Sequence, residues 1–170
     1  MTIMLKCSAS ARDPWSLKLT DHIAPTPAQF EAVMAAATTN GGPVVMLNLN
    51  KYREVARYEN AGSADETLSG RAAYARYGEV AGPAVASVGG RVIWTAPAQQ
   101  MVIGCEHDEY DHVIAVWYPD RAAFGRLGAY PGYLEATIHR AAALERAMIL
   151  ACEPPGALAE WPGGRLADFR

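Results

Sequence analysis

The sequence of 170 residues lacks several features that would assign it to a functional class. Its three cysteines, Cys7, Cys105 and Cys152, are far apart and show no C-x-x-C spacing, so they indicate thiols rather than a zinc site. No apolar run approaches the roughly 18–20 residues of a membrane span. The net charge is −3 and no stripe of lysine and arginine is present, which argues against nucleic acid as a partner. Because the first residues show no secretion signal, we expect a cytoplasmic protein without a membrane partner.

Motifs that bind common cofactors are also absent. The sequence has no phosphate-cradling glycine loop, no dinucleotide fingerprint and no Ser-His-Asp signature, and Gly89-Gly90 indicates the end of a helix. His107 and His112 flank acidic residues, but their spacing matches no established zinc pattern. We therefore expect neither a cofactor nor a metal.

The 51% apolar content is sufficient for one domain with a sizeable core. We predict an N-terminal arm over 1–24, one domain over 25–152 and a C-terminal tail over 153–170. Apolar periodicity and turn residues predict helices over 27–38, 70–87, 121–127 and 133–146, and strands over 44–50, 91–95, 100–105, 112–118 and 148–152. Pro83 should kink the second helix or divide it near Ala81.

This order of elements predicts an α+β fold. It is the ferredoxin-like split β-α-β arrangement, with an antiparallel sheet and an extra hairpin. Helices should cover one face of such a sheet, and the other face needs a different cover. We expect a second copy of the chain to supply it, giving a symmetric homodimer, with the N-terminal arm as the alternative.

The strand 43–50 carries an amide among apolar residues. Because side chains alternate along a strand, Met46 and Asn48 share one face. We predict that this is the face without helices. An unpaired buried amide costs about 1–3 kcal/mol. Asn48 is therefore predicted either to be satisfied by backbone groups or to line a cavity and orient a substrate carbonyl.

Several segments, taken together, resemble domain-of-unknown-function family 1330. They are 43–49, 70–77, 89–94, 118–124, 130–133 and 138–145, and the resemblance covers about residues 25–152. It implies the dimeric α+β barrel, a superfamily that includes small monooxygenases, muconolactone isomerases, polyketide cyclases and haem-degrading enzymes, many of which work without a cofactor. The family has no general assigned activity, so no reaction is implied.

Three residues are the predicted catalytic groups. His139 is the candidate general base or acid, because an unperturbed imidazole titrates at about pH 6.5, near neutrality. Asn48 and Arg91 would stabilise developing negative charge. The alternatives are a surface histidine, a backbone-satisfied amide and a surface ion pair.

The other candidate residues would surround or recognise the substrate. Tyr74 and Tyr77 share a helical face, where they are either aromatic core or hydrogen-bond donors to a ligand. Met46 would form a wall of the cavity, and Trp94 would either form another wall or be simple core. Asp111 matches a position that is often acidic in the family, and it is expected to cap a turn or to pair with Arg91.

The leading functional hypothesis is a cofactor-free enzyme that acts on a small organic carbonyl compound between the sheet and the tyrosine-bearing helix. The chemistry would be proton transfer next to the carbonyl, of the isomerase, cyclase or dehydratase type. A cofactor-independent monooxygenase and a non-catalytic protein that binds a small ligand are the alternatives.

Overall fold

The computed structural model describes residues 23–59, 67–104 and 109–154. The elements, in chain order, are α1 (Pro27–Thr39), β1 (Val44–Tyr52), α2 (Gly70–Ser87), β2 (Arg91–Pro97), β3 (His112–Tyr118), α3 (Arg121–Gly125), a short 3-10 helix (Arg126–Ala129), α4 (Tyr133–Ala143) and β4 (Leu144–Cys152). Nearly all of the predicted arm and tail lie outside the described residues. None of the described helices is long and apolar enough to cross a membrane.

The four strands form one sheet in the order β2-β3-β1-β4, and each neighbouring pair is antiparallel. Helix α2 connects β1 to β2, and α3 and α4 connect β3 to β4. This is the split β-α-β topology. The predicted α+β fold with a ferredoxin-like, antiparallel arrangement is confirmed.

Side-chain caps explain where α1, α2 and α3 begin. The Thr26 hydroxyl accepts from Gln29 N, and the Gln29 side chain accepts from Thr26 N. The two bonds form a capping box, with Pro27 as the first residue of the helix. Ser69 caps α2 by accepting from Ala72 N, and Asp120 caps α3 by accepting from Ala123 N. Helix α2 runs through Pro83 as one element, so the predicted division near Ala81 does not occur.

The predicted strand over 100–105 is wrong for the described residues 100–104, which form bends and coil. Strand β3 already pairs with β2 on one side and with β1 on the other, so this segment finds no inner position in the sheet. Val102 and Ile103 are almost fully exposed as a result. The predicted extra hairpin strand is therefore replaced by a loop between β2 and β3.

Helix α4 ends at Ala143, earlier than the predicted residue 146, and β4 follows at once from Leu144. The carbonyls of Ala142 and Ala143 accept from Arg57 N and Arg53 N. Those carbonyls at the helix end are satisfied by another segment. Leu144 is then fully buried in the core as the first residue of the strand.

The helices cover the face of the sheet that carries Met46 and Asn48. Val44 and Met46 pack with Val85 of α2 and with Leu127, in the larger of the two core clusters. The prediction that this face is bare is wrong. No described helix covers the opposite face, which carries Leu47 and other residues from all four strands. We call these the covered face and the open face.

Candidate functional site

A cavity of about 590 Å³ lies between the covered face and the helices, and we call it the tyrosine cavity. Its walls are mostly apolar. They include Met46 of β1, Val85 of α2 and Ile114 of β3. The main polar groups that line it are Asn48, Tyr74, Tyr77, Tyr118, Tyr133 and Arg140.

The tyrosines form a connected aromatic row. The ring centroids of Tyr74 and Tyr77 are 5.4 Å apart, those of Tyr77 and Tyr133 are 6.0 Å apart, and the last two hydroxyls share a 3.0 Å hydrogen bond. Burial raises the pKa of Tyr74, Tyr77 and Tyr118. These phenols are therefore neutral near pH 7, and they can donate hydrogen bonds to a ligand.

The Asn48 amide lines the cavity and is also satisfied by the backbone. Its Nδ2 donates to the carbonyl oxygens of Met46, at 3.0 Å, and of Ile114, at 3.3 Å. These bonds agree with the backbone-satisfied alternative. The amide oxygen has no hydrogen-bond donor among the described residues, so it can accept one from a ligand.

Arg140 is a residue of the cavity that the sequence prediction did not select. Its guanidinium donates to the carbonyl oxygen of Ile23, and no described carboxylate forms an ion pair with it. Tyr133, Thr137 and Arg140 recur on α4 at spacings of four and three residues and all line the cavity. This helical periodicity is the sequence pattern from which Arg140 could have been predicted as a cavity residue.

Asn50 lies deeper on the covered face and is fully buried. Neither its amide nitrogen nor its amide oxygen has a hydrogen-bond partner in the described structure. The pKa of Tyr74 reflects its surroundings: burial raises it, while the nearby Arg140 guanidinium and Asn50 amide favour the ionised form. Tyr74, Arg140 and Asn50 therefore form one polar corner in a mostly apolar region.

His139 does not line the tyrosine cavity. Its Nδ1 shares a 2.8 Å hydrogen bond with the Tyr58 hydroxyl, and the two rings meet edge to face at 5.6 Å. Successive helical residues are rotated by about 100°, and it is Arg140 that lines the cavity. The predicted base is thus not brought together with Asn48.

Arg91 and Trp94 lie on the open face, away from Asn48. Arg91 is the register partner of Trp117, and its guanidinium stands 5.1 Å from the centre of that indole. Trp94 is exposed beside Ala115. The predicted set of Asn48, Arg91 and His139 therefore does not converge on one volume.

Asp111 caps the end of β1. Its carboxylate accepts from Tyr52 N at 2.7 Å and from Lys51 Nζ at 3.0 Å. The predicted pairing with Arg91 does not form, because Arg91 is level with the far end of β3. Asp111 instead lines a second cavity of about 570 Å³ beside the loop over 98–104.

His112 forms a second polar group at the end of the sheet. Its Nε2 lies 2.8 Å from Thr95 Oγ1, and its Nδ1 lies 2.7 Å from the Tyr52 hydroxyl. Burial, with a smaller effect of the Arg71 charge, lowers the pKa of His112. His107, considered with it above as a metal ligand, lies outside the described residues.

Comparisons with known proteins agree with this fold. A family model for a domain of unknown function, DUF1330, matches residues 64–153. The chain is similar to the crystal structure of RPA0582, a protein of unknown function from Rhodopseudomonas palustris, with 38% identity and a TM-score of 0.69 over 79% of this chain and 97% of that one. It is also similar to the crystal structure of the methylated RPA0582 protein, with 35% identity and a TM-score of 0.71 over 85% of this chain and 99% of that one. No curated protein matches the chain.

Proposed function

Because the chain belongs to DUF1330, a family defined without a function, we propose its activity from the cavity itself. The protein binds a small, largely apolar organic carbonyl compound in the tyrosine cavity. It promotes proton transfer next to the carbonyl, without a cofactor, as an isomerase, cyclase or dehydratase does. A cytoplasmic location is part of the same proposal.

The observation that carries this proposal is the combination of an apolar cavity with neutral phenol donors. A volume of about 590 Å³ falls in the range of about 300–1,000 Å³ that holds small ligands. The apolar walls would enclose the carbon skeleton. Tyr74 and Tyr77 would donate to a carbonyl oxygen as it gains negative charge, and such donors act strongly where water is excluded.

Non-catalytic binding is the second candidate, and a specific observation favours it. No histidine, aspartate or glutamate is among the described residues that line the cavity. A general base must reach the proton it removes, either directly or through one water. If no such group reaches the ligand, the same cavity would bind a carbonyl compound and leave it unchanged.

The two candidates can be separated by hydrogen–deuterium exchange. Small aryl ketones and dicarbonyl compounds would be incubated with the protein in deuterated buffer, with exchange next to the carbonyl and binding both followed by NMR. Tyr74→Phe should lower the exchange rate, whereas Tyr110→Phe, a tyrosine outside the cavity, should not. Binding without exchange would favour the non-catalytic candidate, and absence of binding would reject both.

The same samples test the monooxygenase alternative. A substrate that reduces oxygen itself would be consumed only in aerated solution. An oxygen electrode therefore distinguishes this reaction from proton transfer, which continues under nitrogen. Equal turnover with and without oxygen would reject the monooxygenase.

We also propose that two copies of the chain pair through their open faces. Apolar side chains from all four strands meet on this face: Leu47, Leu49, Trp94, Ala96, Ala115, Trp117, Met148 and Leu150. An exposed apolar patch of this kind is typical of a surface that contacts another protein, which supports the proposal. This is the homodimer predicted from the sequence, except that the open face forms the interface instead of the face that carries Met46 and Asn48.

A further inference from the structure

The charge of Arg140 is not matched inside the tyrosine cavity. No carboxylate is among the described residues that line the cavity, and no described carboxylate pairs with the guanidinium. One of its nitrogens donates to the carbonyl oxygen of Ile23, a neutral acceptor. A guanidinium offers five N–H donors, so this bond leaves donors for a ligand.

The neighbours of Arg140 are of the kind that an anion needs. The Tyr74 phenol lies beside the guanidinium, and its hydroxyl stays protonated because burial raises its pKa. Tyr77 and Tyr133 continue the row of phenols along the same wall. The cavity therefore presents one positive charge together with neutral donors.

Other ligand charges fit this cavity less well. A cation would approach Arg140 with no described carboxylate in the walls to offset the repulsion. A neutral ligand would remove water from the guanidinium without supplying a countercharge, which is costly. An anion supplies that countercharge, and a carboxylate matches the guanidinium with two parallel hydrogen bonds.

We infer that the carbonyl compound also carries a carboxylate, and that Arg140 is the residue that binds this carboxylate. This inference rests on the proposed function of the tyrosine cavity. The ligand class is thus an oxo acid with an apolar body, and its body packs against residues such as Met46 and Val85. The sequence prediction had instead placed an arginine that stabilises negative charge at Arg91, which lies on the open face.

The test compares two matched probes, β-benzoylpropionate and its primary amide, by isothermal titration calorimetry on the full chain. Their carbon skeletons are the same, and only one is charged. A charge-assisted hydrogen bond contributes about 1.5–3 kcal/mol, so the wild-type protein should bind the carboxylate about 10- to 150-fold more tightly. This comparison needs no variant, and the result does not depend on how a substitution folds.

Variants then assign the preference to one residue. Arg140→Met should remove most of the preference for the carboxylate while changing amide binding little, and Arg140→Lys should restore part of it. Arg57→Met, at an exposed arginine outside the cavity, is the matched control and should change neither affinity.

Three results would overturn the inference or the role of Arg140 in it, and they differ in what they say of the proposed function. If wild-type protein binds the amide as tightly as the carboxylate, the ligand class is wrong but the cavity still binds carbonyl compounds. If neither probe binds, both proposals fail. A carboxylate preference that survives Arg140→Met would also overturn the role of Arg140.

Discussion

On strand β1, Val44 and Met46 of the covered face are 0% and 3% exposed, whereas on strand β4, Met148 and Leu150 of the open face are 43% and 46% exposed. Both faces carry large apolar side chains. They differ in what accompanies those side chains. The covered face packs amides and phenols against the helices, where Arg140 of α4 joins them, whereas the open face presents apolar groups to solvent with Arg91 beside Trp117.

This difference indicates two separate roles for one sheet. Polar groups among apolar residues lower the stability of a core unless they are satisfied, and the covered face places the fully buried Asn50 amide beside the side chains of Tyr52 and Tyr74. Such groups are typical of a site where a ligand or ordered water completes the contacts. An exposed apolar sheet face instead lowers its free energy when it packs against another apolar surface, because both are then removed from water.

The largest contrast is expected between two leucines of the same strand. Leu144→Ala opens a cavity in the core and should lower the free energy of unfolding by about 2–5 kcal/mol. Leu150→Ala removes a side chain that is half exposed in one chain, and it should cost less than about 1.5 kcal/mol at low protein concentration. Urea unfolding of the two variants measures both values. Equal losses would contradict the division between the faces.

The open face is tested next by its association. Leu150→Lys places a charge on the proposed interface, on the edge strand β4, and it should weaken the dimer by at least about tenfold in dissociation constant. Light scattering after size exclusion measures the mass. Val102→Lys, at an exposed apolar residue in the loop between β2 and β3, is the control and should leave the mass unchanged. Wild-type protein that is monomeric at all concentrations would reject the interface.

A smaller change in stability is expected when the hydrogen bond between Tyr77 and Tyr133, beside the covered face, is removed. Removing one hydroxyl by Tyr77→Phe should lower the free energy of unfolding by about 0.5–1.5 kcal/mol. Tyr133→Phe should have a similar effect, and the double variant should cost less than the sum, because the two changes remove the same bond. Chemical denaturation of the four proteins measures the coupling. Strict additivity would mean that the bond contributes nothing.

The sequence predicted most of the fold because its strongest signals are local. The caps at Thr26 and Ser69, and the apolar alternation in β1, depend on neighbours a few residues away, and each element formed as predicted. The loop over 100–104 was mistaken for a strand because its residues favour extended backbone. A strand also needs a neighbouring strand to pair with, and β2 pairs with β3, which lies further along the chain.

The candidate site was harder to predict, for a reason visible in β1 and α4. Both faces of β1 are apolar, so alternation separates them without saying which one meets the helices. On α4, His139 and Arg140 are adjacent, and the rotation of the helix against the sheet decides which side chain lines the cavity. Arg91 and Trp94 fell on the open face through the same uncertainty of strand orientation.

The smallest expected effect concerns the pH dependence of stability at His112, whose ring joins Tyr52 and Thr95 at the end of the sheet. Its pKa is lowered in the folded chain, first by burial and then by Arg71, from an ordinary value of 6.5. As the pH falls through that value, the unfolded chain binds a proton before the folded chain does. The stability that depends on the neutral ring is therefore present above it and is lost below it. His112→Gln should remove this part of the decline. The free energy of unfolding, measured with urea, should then fall less steeply than in wild type between about pH 7 and pH 5. Direct NMR titration of the imidazole measures the same pKa. Parallel declines in the two proteins, together with an unshifted titration, would show that His112 is not the group responsible.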